Sequence, residues 1–295
     1  MRILITGGSG LLGQYLSIEL SKSNEVISLY NKNSISSDNF SSKHIDIRNY
    51  KLLNDLFESF NPDIVVHAAA STNPVLSPDL ETREIYDINV SSTKRIAELC
   101  DRCSARLIYT SSDLVYAGYR GSMLKENSKL IPVSLYAETK LMGEIKIQET
   151  FDNYIILRIA LLYGFGLGNS ICHFQDMYKN LKAGKAVKLF YDQYRTPVSL
   201  PEAARIIREL CNQSIKNDII NIAGKERVNR VQMGEKLCGI VGFDKRLIQK
   251  ISMNEIPGYP AVEDVSLDTE KLQSYGIKIK GIEQSIKEIL NYERR

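Results

Sequence analysis

Short runs of apolar residues recur along the first half of the chain, at Arg2–Thr6, Val26–Tyr30, Asp63–Ala69, Arg106–Ser111 and Tyr154–Leu162. Between them, apolar positions three and four residues apart predict helices at roughly 11–22, 50–59, 82–101 and 136–150. Strands alternating with helices imply right-handed crossovers and a parallel sheet covered on both faces. Ser23-Asn24 and Asn61-Pro62 supply helix-ending turns before the second and third runs. After Gly164 the rhythm changes. A loop over 164–169 leads to a helix near 170–183 and a short strand near 186–190. Pro197 and Pro201 bracket the start of a helix over 201–213, and Asp218–Ala223 reads as a strand. Shorter mixed pieces, a proline-containing loop at 256–261 and an amphipathic helix near 282–292 complete the chain. No internal repeat is visible, and only 31–42 is biased, toward serine and asparagine.

At 295 residues the chain is long enough for one two-lobed unit with a large core. A formal charge of +3, with Lys and Arg scattered, gives no basic surface for nucleic acid or membrane. No stretch approaches the roughly 18 to 20 apolar residues of a membrane span, and the apolar start is too short for a signal peptide. Five cysteines without a secretory signal fit free thiols in a reducing cytoplasm. Cys100-x-x-Cys103 has redox or metal spacing, but Ile96, Leu99, Cys100 and Cys103 follow the apolar side of a helix, and no second pair lies nearby. Three scattered histidines leave no metal site.

The first strand runs into Gly7-Gly8-Ser9-Gly10-Leu11-Leu12-Gly13, which opens the first helix. Glycines at this spacing allow a tight turn, close backbone approach to a pyrophosphate and close helix packing, with the helix N-terminus facing the negative charge. The turn therefore predicts a dinucleotide site, with Gly7, Ser9, Gly10, Leu11, Leu12 and Gly13 at the cofactor, and a Rossmann-type doubly wound parallel sheet. Residues 1–163 with about 197–223 are assigned to it; about 164–196 and 224–295 form a smaller, interleaved α+β substrate-binding lobe. The second strand ends in Tyr30-Asn31-Lys32, with no carboxylate to hold a ribose 2′-hydroxyl. That favours NADP(H) over NAD(H). Asp46 and Ile47 are placed beside the adenine, and Ala68, Ala69 and Ala70 let a cofactor lie close to the third strand's end. His67 reads as a packed strand residue.

Tyr136 and Lys140, four residues apart, share one helix face. An ammonium beside a phenol lowers its pKa and makes it a usable acid or base. Ser111-Ser112 ends the strand upstream, offering a hydroxyl to a carbonyl oxygen on which charge develops.

These motifs carry a resemblance. Together with Thr110-Ser111-Ser112-Asp113-Leu114-Val115-Tyr116, Gly143-Glu144, Leu157-Arg158 through Tyr163-Gly164, Asp192–Pro197 and Ser266-Leu267-Asp268, the chain resembles the extended short-chain dehydrogenase/reductase superfamily. Within it, the likeness is nearest to the dTDP-4-dehydrorhamnose reductases. The resemblance implies Ser112, Tyr136 and Lys140 as the catalytic set, with Tyr136 and Lys140 also at the cofactor. It also implies reduction of a nucleotide-linked 4-keto sugar, with Ser112, Asp113, Tyr136 and Arg195 toward the substrate. Arg195, on a loop facing the cleft, suits a diphosphate. The superfamily's dehydratases typically carry Thr-Asp-Glu where this chain has Ser112-Asp113-Leu114, and leucine abstracts no proton.

Three departures border the sugar. Leu114 replaces a tyrosine usual in these reductases, and Leu161 stands where they carry a tryptophan. The segment Ser71–Glu81, with Pro74 and Pro78, lacks their Val-Asp-x-x-Glu pattern. Two alternatives stand beside the reductase: a non-catalytic NADP-binding subunit resembling the regulatory subunit of methionine adenosyltransferase, and an epimerase with permanently bound NAD. The resemblance allows a homodimer, with helix 82–101 contributing a face, although periodicity does not separate packing within a chain from packing between chains.

Overall fold

The first strand, β1 (Arg2–Thr6), has four of its five residues buried and takes an interior place in a seven-stranded sheet. β2 (Glu25–Tyr30) and β3 (Ser41–His44) extend the sheet on one side of it. On the other lie β4 (Ile64–His67), β5 (Arg106–Ser112), β6 (Tyr154–Ile159) and the strand Asp218–Ile222. Every pairing in this sheet is parallel. The computed structural model describes residues 1–72, 80–119, 121–167, 171–259 and 262–293.

Period-two alternation sorts the strand residues. Ile3 and Ile5 pack with Leu16 and Leu20 of helix α1 (Leu11–Ser21) and with Ile206, Ile207 and Leu210 of the helix Leu200–Cys211. Leu4, Val65 and Leu107 face the other way, against Leu53, Leu56 and Phe57 of α2 (Tyr50–Phe60) and Ile96, Leu99 and Cys100 further along. Cys100 is thus a core residue, and the Cys103 thiol turns to the Cys100 carbonyl oxygen. Strand order reverses where β1 lies between β2 and β4. That switch point opens a crevice at the carboxyl ends of β1 and β4, the ligand position in open α/β sheets.

The structure departs from the sequence pattern in several places. The polar stretch Ser41–His44 forms an edge strand, where solvent meets both faces and apolar periodicity is not required. The run Tyr154–Leu162 is two pieces: β6 ends at Ile159, and Leu162–Tyr163 pairs in parallel with Val198–Ser199. Helix 82–101 is α3 (Leu80–Tyr86), a π turn at Asp87–Ser91 and α4 (Ser92–Cys103). Within the π turn, the Asn89 amide brackets Ser71, accepting from its N–H at 2.8 Å and donating to its carbonyl at 3.0 Å, and also donates to Thr139 Oγ1 at 3.0 Å. A widened turn near a crevice is a common functional device.

The remaining elements pair and pack largely among themselves. Val187–Phe190 pairs with Ile248–Ile251, and Tyr194–Arg195 pairs antiparallel with Val228–Asn229. Helices His173–Lys182, Arg230–Val241 and Ile282–Glu293 enclose an aromatic core that includes Phe165, Phe174 and Tyr178. Two distant motifs meet where Thr196 Oγ1 accepts from the Leu267 amide at 3.0 Å. No described helix is long and apolar enough to cross a membrane.

Candidate active site

The turn after β1 is shaped by close approach. Gly7 has φ +70°, and a Cβ there would lie 2.6 Å from the Ala69 amide nitrogen. A Cβ on Gly13 would lie 2.0 Å from the Gly7 carbonyl oxygen. Any larger residue at either position would push turn, strand end and helix apart. Gly10, Leu11, Leu12 and Gly13 line a cleft of about 560 Å³ with Ala68, Ala70 and Thr72. The first-turn amides of α1 have no intrahelical acceptor and are free to receive an anion. Backbone packed this closely, beside small strand-end residues, fits a dinucleotide.

Ser112, Asp113, Tyr136, Lys140 and Arg195 line the same cleft. The fold therefore brings three sequence-distant groups to one place. Ser112 closes β5; its hydroxyl accepts from the Leu114 amide at 3.2 Å and donates to Asp113 Oδ1 at 3.3 Å. Ser134 caps the next helix, α5 (Leu135–Gln148), accepting from the Ala137 amide at 3.3 Å. That puts Tyr136 in the first turn and Lys140 one turn on. Gly143 lets α5 come down on β5: a Cβ there would lie 2.4 Å from the Tyr109 hydroxyl.

The electrostatics differ from the sequence expectation. Tyr136 is pushed up to about 12, first by burial and then by the Asp113 carboxylate, with the Ser112 hydroxyl opposing. Lys140 does not lower it. The Lys140 ammonium sits 4.0 Å above the Tyr109 ring, and its own pKa is pulled down to about 7 by burial, against the pull of Glu144. A phenol in this setting keeps its proton throughout the neutral range and is available as a donor, but it is a weaker acid than one matched to the working pH. Burial also raises the Asp113 carboxyl, opposed by Arg195, by Ser112 and by the Leu161 amide. Arg195 Nη1 reaches Asp113 Oδ2 at 3.0 Å, so the two expected substrate residues hold each other. Arg195 lies on a short strand, not the expected loop, because Tyr194–Arg195 has a partner strand in Val228–Asn229.

Lys140 loses its ammonium above about pH 7, so if it holds a nicotinamide dinucleotide, as the resemblance implies, affinity for NADPH or NADH should weaken as pH rises through that value. Fluorescence titration of NADPH at a series of pH values checks this, and Lys140→Met should bind weakly with a flat profile.

His67 is fully buried between Thr6 Oγ1 at 2.6 Å and Thr93 Oγ1 at 2.9 Å, and burial drives its pKa down to about 3. It is a neutral packing residue. Tyr30, Asn31, Lys32, Asp46 and Ile47 stand outside the cleft. Tyr30 stacks on His44, Lys32 is exposed and Ile47 joins the core. Asp46 is held by Arg48 at 2.6 Å and accepts from Asn31 at 3.2 Å. A second cavity of about 360 Å³ adjoins the glycine turn, lined by Ser9, Gln14, Asn33, Ser34, Ser36 and Ser37. The serine-rich composition of 31–42 is its only signal in the sequence. Leu114 and Leu161 do border the cleft. Of the third departure, Ser71–Glu81, residues 73–79 lie outside the described residues.

The chain is similar to a probable low-salt glycan biosynthesis reductase of Haloferax volcanii, with 26% identity over 262 residues covering 87% of this chain and 85% of that one. A dTDP-4-dehydrorhamnose reductase of Aggregatibacter actinomycetemcomitans is 26% identical over 311 aligned positions, covering 99% of each. Methionine adenosyltransferase 2 subunit beta of Rattus norvegicus is 25% identical over 285, covering 94% and 83%. Among solved structures, a dTDP-4-dehydrorhamnose reductase from Clostridium acetobutylicum superposes with a TM-score of 0.85 at 25% identity, covering 100% of both chains. A family model described as the RmlD substrate binding domain matches residues 1–295, the full length over which the glycine turn, serine strand end and Tyr136/Lys140 helix are arranged, and the chain belongs to that family.

Proposed function

We propose that the protein is an NAD(P)H-dependent reductase of a nucleotide-linked 4-keto sugar, as the names of its glycan biosynthesis and dTDP-4-dehydrorhamnose reductase relatives suggest. The observation that carries this reading is the convergence of Ser112, protonated Tyr136 and Lys140 beside the glycine turn. The residues at the glycine turn and strand ends would hold a nicotinamide dinucleotide, whose chemistry would be hydride donation to a carbonyl carbon. Ser112 hydrogen-bonds the carbonyl oxygen, and Tyr136 donates its proton as negative charge grows there. Lys140, one turn further along α5 than the phenol and also in the cleft lining, would hold the cofactor ribose. Among the described residues, Asp113 is the one carboxylate lining the cleft, and Arg195 occupies it. A dehydratase needs a second acid or base for the elimination, and Leu114 supplies none. The absence of a carboxylate at the end of β2, with serine hydroxyls lining the adjoining cavity, favours NADP(H).

Purified protein given NADPH or NADH and dTDP-4-keto-6-deoxyglucose generated in place should oxidise cofactor and yield a reduced sugar, faster with NADPH. Neither cofactor oxidation nor sugar product, across a panel of 4-keto sugars, would exclude the reductase. The regulatory-subunit reading is favoured by Arg195 and the altered sugar border. It predicts NADP(H) binding without reduction, and changed kinetics of a partner enzyme.

A further inference from the structure

The short β-ladder beside the cleft sorts its residues onto two faces. Arg195 pairs directly opposite Val228, so the two side chains share one face. Asn229 has extended backbone, φ −91° and ψ 176°, which carries the alternation on to Arg230 at the start of its helix. Arg230 therefore emerges on the Arg195 face. Tyr194, Arg227 and Asn229 take the other face, where the Arg227 guanidinium stacks 3.7 Å from the Tyr194 ring centroid.

The Arg195 side chain is 9% exposed, and among the described residues only its Nη1 has a carboxylate, Asp113. Its Nε is buried without a hydrogen-bond partner. Arg230 is poorer still. Its Nε is also buried and unpartnered, and it makes no hydrogen bond or ion pair among the described residues. Burial and the neighbouring Arg195 charge pull its pKa down to about 10, so it remains a cation at neutral pH. The other groups acting on it are Asp113, Tyr259 and Cys172, with His173 held neutral near 4 by burial and by Arg230 itself. Two guanidinium groups thus share one carboxylate. Arg230 is half-buried, but a guanidinium whose Nε is sealed without a partner is costly, and an incoming oxyanion removes the cost.

On the reductase reading, which this inference deepens, we propose that Arg195 and Arg230 form an oxyanion-binding pair, and that a phosphoryl or carboxylate group of the substrate is held between them. Arg195 divides its planar fork between Asp113 and the substrate, while Arg230 supplies the charge that makes the substrate's negative group a requirement. One carboxylate, that of Asp113, separates Arg195 from Ser112. The oxyanion is therefore within a sugar ring's reach of the reacting carbonyl. It is either the diphosphate or an acid group on the sugar.

The test is calorimetric titration of dTDP, UDP, UDP-glucose and UDP-glucuronate into wild type, Arg230→Gln and Arg230→Lys, with NADPH binding as the control for folding. Arg230→Gln should weaken binding by about ten- to a hundredfold, the range for a hydrogen bond to a charged group, while Arg230→Lys retains most of the affinity. A loss already present with the nucleoside diphosphates assigns the pair to phosphoryl oxygen. A loss confined to UDP-glucuronate assigns it to a sugar carboxylate. Unchanged dissociation constants in Arg230→Gln with NADPH binding intact, or a wild type that binds none of the four, overturns the proposal. Because no turnover is needed, failure to reduce a keto sugar counts against the reductase reading alone.

Discussion

Tyr136→Phe should lower the turnover number for the keto sugar by about 10²- to 10⁴-fold, the usual contribution of a positioned general acid, with the NADPH dissociation constant close to wild type. The ring lies in the first turn of α5 and packs at the cleft wall, so phenylalanine keeps the contact and loses only the proton. The sign follows from the environment. Burial and the Asp113 carboxylate both disfavour the phenolate, so the group is protonated below about pH 12 and gives its proton only as negative charge develops on the carbonyl oxygen. The same setting leaves almost no phenolate to act as a base near neutral pH, so the reverse oxidation should be slow there and rise with alkalinity. Single-turnover kinetics with saturating NADPH separate this step from product release. A Tyr136→Phe variant that reduced substrate at near the wild-type rate would remove Tyr136 from the mechanism and leave the serine to account for proton delivery.

The parts of this site visible in the sequence are those where local chemistry and sheet geometry agree. β1, β4, β5 and β6 are buried on both faces, so each reads as an unbroken apolar run. The glycine turn is legible because only glycine tolerates the 2.0 Å approach at position 13. Tyr136 and Lys140 are legible because a helix has one spacing. What escaped depends on contacts between distant segments. The π turn at Asp87–Ser91 is tied to Asn89 bridging Ser71 and Thr139, which no local spacing reports. Ser41–His44 carries no apolar signal, because an edge strand needs none. Arg230 shares a face with Arg195 only through a ladder joining segments far apart in the chain. The direction of the Tyr136 shift also escaped: helix spacing promised an ammonium neighbour, but Asp113, from another element, lies closer in effect.

Arg158→Met should cost about 3–5 kcal/mol of stability, the range for breaking a buried ion pair, read as a lower urea midpoint with an unchanged slope. Arg158 is 2% exposed and Glu144 1%. The guanidinium grips both Glu144 oxygens, through Nη2 at 2.7 Å and Nε at 3.1 and 3.2 Å, and donates Nη1 to the Tyr116 hydroxyl at 3.0 Å and the Glu126 carbonyl at 2.9 Å. Ser111 donates to the same carboxylate, and Tyr116 passes the network on to Asn221 at 2.8 Å. The pair therefore pins α5 to β5, β6 and the last strand of the sheet. Removing one partner leaves a carboxylate charged and enclosed; removing both, as in Arg158→Met with Glu144→Leu, should recover most of the loss. The double variant has a second consequence. Glu144 is the one charge that favours the Lys140 ammonium, one helical turn away. Without it the proton on Lys140 is held less tightly, so the pH at which NADPH affinity begins to fall should move below about 7. A stable double variant with the wild-type pH profile would leave Glu144 a purely structural residue; a displaced profile makes it the group that keeps Lys140 charged.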